Sequence, residues 1–226
     1  MKHGFYAKEK RKQNRIQALI ILGALAVILL SLFISWKTGV YLITIFTLPI
    51  VLSIIAPFID TPSLKKSGKL IYHSLLFITD TPKNGVINIH GGTLFDYVFV
   101  IDKKMNGKQR TNFIIQQYLQ GLLHFLQEYE NKNADNLKIR GTSYIMNERT
   151  VERVGFKVIK TDFIQYLILV YNYFNILIAY SIAKDKLAFP RLKNIKTFEA
   201  NINDLTEQKS FIINLNNKLK NTIANI

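Results

Sequence analysis

The sequence predicts a membrane-anchored α/β protein: a helical hairpin through the bilayer, followed by a cytoplasmic α/β (α+β) domain on an antiparallel or mixed sheet. Three observations carry this. Two long uncharged apolar runs stand near the N-terminus. Basic residues flank the outer ends of both runs. Beyond them, stretches of period two alternate with stretches of period 3.6, the marks of strands and amphipathic helices.

The runs are residues 17–36 (QALIILGALAVILLSLFISW) and 40–58 (VYLITIFTLPIVLSIIAPF). Each approaches the ~20 residues a helix needs to cross a ~30 Å hydrocarbon core. A cleaved signal peptide is the competing reading of the first run. No small-x-small site follows it, and a second apolar run comes at once, so two retained spans are expected. Only Lys37, Thr38 and Gly39 lie between them, and glycine suits a tight reversal. Pro49 should kink the second helix, and Pro57 lies near its end. Lys2, Lys8, Lys10, Arg11, Lys12 and Arg15 precede the hairpin, and Lys65, Lys66 and Lys69 follow it. The positive-inside rule therefore places both termini in the cytoplasm of a multi-pass inner-membrane protein. The expected organisation is a basic cytoplasmic tail at 1–16, the hairpin at 17–58 and a cytoplasmic domain at 59–226.

The net charge is +15 and cysteine is absent. Lack of cysteine removes disulfides and thiolate metal sites and fits a reducing compartment. In this setting the basic surplus points to the anionic lipid headgroups of the adjacent leaflet, each nearby cation gaining about 1 kcal/mol there. No zinc-finger, RRM or helix-turn-helix pattern occurs, so a nucleic-acid partner is not expected.

Asp60-Thr61-Pro62 and Asp80-Thr81-Pro82 read as turns around a strand-rich unit at 69–79. Residues 86–90 (VINIH) alternate, Gly91-Gly92 reads as a turn, and 94–101 (LFDYVFVI) reads as the return strand of a hairpin. After the charged loop 102–108, Ile115, Tyr118, Leu119, Leu122, Phe125, Leu126 and Tyr129 recur at helical steps, predicting an amphipathic helix over 109–130. Residues 131–136 (NKNADN) should break it. A strand at 137–145 is followed by a short helix capped by Asn147, with Val151 and Val154 inward, and by a strand at 156–161. Residues 163–183 (FIQYLILVYNYFNILIAYSIA) are long enough for a third span. Yet Gln165, Asn172 and Asn175 form a polar stripe, and a third span would carry the following cations outward. One large helix packed on the sheet or lying at the interface is the better reading. Asp204-Leu205-Thr206-Glu207 resembles a capping box. Phe211, Ile212, Leu215, Leu219 and Ile223 give the last helix an apolar stripe.

Chemistry is thinly represented. His90-Gly91-Gly92-Thr93 has the glycine pair of an oxyanion loop. The G-x-S-x-G elbow is missing, because Gly141-Thr142-Ser143-Tyr144-Ile145 lacks the second glycine. His3, His73, His90 and His124 show no metal-ligand spacing, so no metal site is expected. There is no Walker A loop and no G-x-G-x-x-G. Asp96 and Asp102 read as structural carboxylates.

One stretch is more particular. Residues 97–102 as a strand, the basic loop 103–110, a long helix, a strand, and Asn147 to Lys157 ending in Gly155-Phe156-Lys157 together resemble the C-terminal half of the GCN5-related N-acetyltransferase fold. The likeness covers residues 86–161. It implies that Lys104, Gly107, Lys108 and Arg110 would cradle the phosphates of acyl-CoA, with Asn147 on the acceptor side. Two departures stand against it. The loop has one glycine where the family has further small residues, and 149–154 (RTVERV) holds no tyrosine to act as acid. The chain is also similar to uncharacterised two-span membrane proteins of Bacteroidota. The expected function is a docking or accessory module at the inner membrane, serving lipid or a protein partner without a cofactor. The alternative is a membrane-tethered N-acyltransferase.

Overall fold

The structure is a computed structural model and describes residues 2–129, 137–143, 148–192 and 195–224. Two N-terminal helices, α1 (Lys10–Thr38) and α2 (Leu42–Lys66), form an antiparallel hairpin. Both are long and apolar enough to cross a membrane. Gly39 closes α1 in the left-handed conformation, φ 72°, which only glycine adopts without strain. Small hydroxyl residues line the contact, and the side chains of Ser35 and Thr44 hydrogen-bond across it at 2.8 Å. Packing of this kind suits a lipid environment, where Leu gains nothing by leaving the acyl chains.

The domain is built on a six-stranded mixed sheet of order β1-β2-β3-β4-β6-β5. The strands are β1 (Leu70–Tyr72), β2 (Phe77–Asp80), β3 (Val86–Gly91), β4 (Lys138–Ser143), β5 (Lys157–Ile159) and β6 (Lys196–Asn201). β3 and β4 are parallel and every other neighbouring pair is antiparallel. The crossover from β3 to β4 contains α3 (Leu94–Val100) and α4 (Gly107–Tyr129). The expected amphipathic helix is therefore present, and Leu119, Leu122, Phe125 and Leu126 are buried by it. They meet Phe77, Ile87, Ile139 and Ala200 from one sheet face, and Ile212 from α9 (Lys209–Ala224). The last helix thus packs on its own domain. The short helix α5 (Glu148–Arg153) turns Val151 inward, and Val154 just beyond it is buried as well. The expected break at 131–136 lies outside the described residues, as do Tyr144, Ile145, Met146 and Asn147.

Several expectations are corrected. Residues 94–100 are helix, not the return strand of a hairpin, and β3 pairs antiparallel with β2 instead. Thr93 and Asp96 form a capping box that starts the helix, and the turn buries Leu94, Phe95 and Tyr97. Capping and burial outweigh the strand propensity of the sequence. The strand that the acyltransferase resemblance needs at 97–102 is consequently the end of α3 and the bend after it. Asp60-Thr61-Pro62 is no turn; it lies inside α2, which runs past the expected end at Phe58. Asp204 sits in the first turn of α8 (Ile202–Glu207), whose N-cap is Asn201, so the C-terminal capping box does not form. Residues 163–183 are two helices, α6 (Phe163–Tyr171) and α7 (Tyr173–Lys184), bent by 69° at Asn172.

The N-terminal residues dock on the domain. Gly4 donates its backbone N–H to Phe99 O at 3.0 Å, and Phe5 is buried against Phe95 and Phe99. The end of α2 also joins the domain: Ile54 and Phe58 pack against the cluster containing Leu94, Tyr97 and Ala183. Both outer ends of the hairpin therefore lie against the domain.

Candidate functional site: a cleft between the sheet and the membrane hairpin

Alternation along the strands gives the sheet two unlike faces. Phe77, Ile87, Ile139, Phe198 and Ala200 point toward α4 or the apolar side. The opposite face carries Asp80, Asn88, His90, Arg140, Thr142, Thr197 and Glu199. Across this polar face lies a cleft of about 680 Å³. Its far wall is made by α6, α7 and the end of α2, through Pro57, Leu64, Gln165, Leu169, Asn172, Asn175 and Ile176.

The charges on the floor are already matched. His90 Nε2 lies 2.9 Å from Asp80 Oδ1. Arg140 donates from Nη2 at 2.6 Å and from Nε at 3.1 Å to Glu199 Oε2, and Lys138 reaches Glu199 Oε1 at 3.1 Å. The hydrogen bonds from Arg140 hold the Glu199 carboxyl below its ordinary range, against a smaller opposing effect of burial. For Asp80, burial pushes the carboxyl up, but the His90 hydrogen bond and charge together with Asn88 and Lys83 bring it below the usual value. Hydroxyls of Thr142, Thr197 and Thr161 run on from these pairs at 3.3 and 2.9 Å.

The far wall has its amphipathicity reversed. Gln165, Asn172 and Asn175, the stripe seen in the sequence, all line the cleft. Ile168 and Leu169 line the cleft beside them, but the other apolar residues of α6 point out: Phe163 is 73 % and Ile164 70 % exposed, and no residue of α6 is buried. A helix of a soluble domain turns its apolar stripe inward.

Asn175 does more than line the cleft. Its Nδ2 donates to Ser53 O at 2.7 Å. Ser53 is four residues before Pro57, which has no N–H to offer that carbonyl. The same arrangement occurs about one turn on. Pro62 frees the carbonyl of Phe58, and Gln17 Nε2 of α1 donates to it at 3.0 Å. Side chains on two different helices thus satisfy the backbone acceptors released by two prolines of α2. Asn175 Oδ1, on a residue only 8 % exposed, has no partner among the described residues.

A second polar cluster ties down the N-terminus. The carboxylate of Asp96 is fully buried, and His3 Nε2 stands 3.1 Å from Oδ1. Tyr72 Oη donates to Oδ1 at 2.8 Å, while the Thr93 N–H and hydroxyl donate to Oδ2 at 2.7 and 2.8 Å. Burial and the Asp96 charge push the Tyr72 hydroxyl far up, and burial takes Tyr6 to about 12. With four partners on one enclosed carboxylate, this is a clamp. Sequence reasoning missed it, although Thr93-x-x-Asp96 is a capping-box spacing.

The residues singled out for acyl-CoA are placed differently. Asn106 caps α4, accepting from the N–H groups of Lys108 and Gln109 at 3.1 Å each, and Gln109 Oε1 returns to Asn106 N. The donors a pyrophosphate would use at this helix start are already engaged. A Cβ on Gly107 would run into the carbonyl of Lys184, so this glycine lets α4 approach α7. Arg110 is only 8 % exposed and donates to Met105 O, Ile182 O and Lys103 O, with Asp185 2.8 Å from Nη2. Lys104 and Lys108 are exposed. Asn147 lies outside the described residues. The acyl-CoA reading gains no support from this arrangement. The His90-Gly91-Gly92 sequence ends β3 and leads into Thr93 at the start of α3. Among the described residues, no group of three His, Asp or Glu side chains gathers where it could hold a metal.

Comparison with protein families, curated proteins and solved structures finds no match to this chain.

Proposed function

We propose that this chain is a docking or accessory module of the bacterial inner membrane, with its hairpin in the bilayer and both termini and the domain in the cytoplasm. The observation that carries the reading is the outward apolar face of α6, beside a hairpin long enough to span. That face would be unstable in water, and the interface of the same bilayer covers it. α6 and α7 have 9 and 12 residues, about 14 and 18 Å of helix, each too short to cross alone. In this reading the bent pair rests on the membrane instead of spanning it. Anionic headgroups attract the exposed cations Lys8, Lys10, Arg11 and Lys12 at the start of α1, and the domain presents its remaining surface to a protein partner.

The chain has no cysteine, so single-cysteine variants report position cleanly. In nanodiscs, Ile164→Cys and Leu167→Cys should react with a membrane-impermeant maleimide as slowly as Leu22→Cys, and Lys104→Cys rapidly. Labelling of Ile164→Cys at the rate of Lys104→Cys would put α6 in water and defeat the reading. A reporter fused to the C-terminus should be active only in the cytoplasm; periplasmic activity would reverse the orientation.

A further inference from the structure

We propose that the cleft between the polar sheet face and α6–α7 takes the head group of a membrane lipid that carries hydrogen-bond donors, entering sideways from the bilayer. The proposal rests on α6 lying in the membrane interface. Five features point to it.

The cleft, at about 680 Å³, falls within the range of small-molecule sites. It meets the second apolar run directly, because Pro57 lines it and Asn175 bonds to Ser53 within that run. One wall is apolar at its rim, through Leu64, Ile168, Leu169 and Ile176, where acyl chains would lie. The floor is polar, but His90 is matched by Asp80 and Arg140 by Glu199. A head group of zero net charge suits such a floor better than one needing neutralisation.

The fifth feature sets the donor requirement. Asn175 commits its amide nitrogen to Ser53 O and leaves Oδ1 enclosed without a partner among the described residues. A buried acceptor left unmet is costly, and a hydroxyl or ammonium of a bound head group would meet it. Lys160 lines the same cleft and supplies a cation for a phosphate. The ethanolamine head group combines these properties: a phosphate, zero net charge and an ammonium with three N–H donors. Choline has the same charge and phosphate but no N–H.

The test uses the full chain in detergent, titrated with dioleoyl phosphatidylethanolamine or dioleoyl phosphatidylcholine and read by native mass spectrometry. Ethanolamine lipid should be retained about tenfold more tightly than choline lipid, a difference of the size expected for one unmet buried acceptor. Asn175→Ala should bring the two lipids level. Thr142→Trp, which fills the cleft from β4, should remove retention of both. Where a variant does not fold, the wild-type preference and Gln165→Leu, which should weaken ethanolamine retention alone, decide the matter. Equal retention of the two lipids, or retention indifferent to Thr142→Trp, overturns the proposal. Failure of the α6 labelling result defeats the membrane-interface reading itself; protection of α6 with equal lipid retention defeats only the cleft.

Discussion

The bond from Asn175 to Ser53 O can be isolated by a double-mutant cycle with Pro57. Ser53 is 2 % and Asn175 8 % exposed, so water does not replace a lost partner at this carbonyl. In the wild-type background, Asn175→Ala removes the amide donor while Pro57 still supplies no N–H. The carbonyl is then buried and unmet, at a cost of about 1–3 kcal/mol. In the Pro57→Ala background, the backbone regains an N–H at this position and bonds Ser53 O within α2. Asn175→Ala then loses a donor that the helix has already replaced, and its cost should fall by about 1–2 kcal/mol. Side-chain hydrogen bonds inside membrane proteins often measure below about 1 kcal/mol, so the lower end is the firmer expectation. Unfolding of the full chain by sodium dodecyl sulfate in mixed micelles, followed by far-UV circular dichroism, gives the four stabilities. Independent sites add to within about 0.5 kcal/mol. A coupling smaller than that, or one of opposite sign, would refute the claim that Asn175 serves the carbonyl freed by Pro57.

Three other outcomes follow from the same geometry. Phe5→Ala should destabilise the full chain by about 3 kcal/mol, since its ring is buried against Phe95 and Phe99; a change near zero in the same assay would mean that the N-terminus is a free tail. Arg110→Ala should destabilise by about 2–3 kcal/mol, because it strands three carbonyls and Asp185, whereas Lys104→Ala on the exposed loop should be silent; equal effects would refute the structural assignment of Arg110. The carboxyls of Glu199 and Asp80 sit below their ordinary values of 4.5 and 3.8 in the folded chain. The stability they supply is present above those values and is lost as pH falls through the lowered ones. Midpoints measured from neutral pH down through the carboxylate range should therefore drop on the acid side, and Glu199→Gln should flatten that drop. An unchanged acid limb in the variant would show that the Arg140 pair contributes nothing.

Much of the chain is legible in its local pattern. The hairpin follows from two uncharged runs and Gly39. α4 follows from its 3.6-residue apolar period, and the β4–α5–β5 order from alternation and the inward spacing of Val151 and Val154. The mixed sheet could be anticipated as a class but not in its pairing. These features depend on neighbours within a few residues, and periodicity records them. The segment 94–100 shows where this fails. It has the composition of a strand, and only the Thr93–Asp96 box with burial of Phe95 and Tyr97 makes it a helix.

The site belongs to a second kind of information. Gln165, Asn172 and Asn175 are visible as a stripe, but a stripe does not say whether it faces a partner helix, water or a cleft. Nothing local pairs Asn175 with a carbonyl 122 positions away, or Gln17 with one 41 positions away. The sequence by itself determined the two long apolar helices, the α/β succession and the amphipathic helices, because each is fixed by the chemistry of adjacent side chains. Only the tertiary structure decided that the N-terminus is clamped by Asp96, that α2 runs on through Pro62, and that α6 turns its apolar face outward. Those outcomes depend on which distant donor reaches an acceptor that the local backbone leaves unmet.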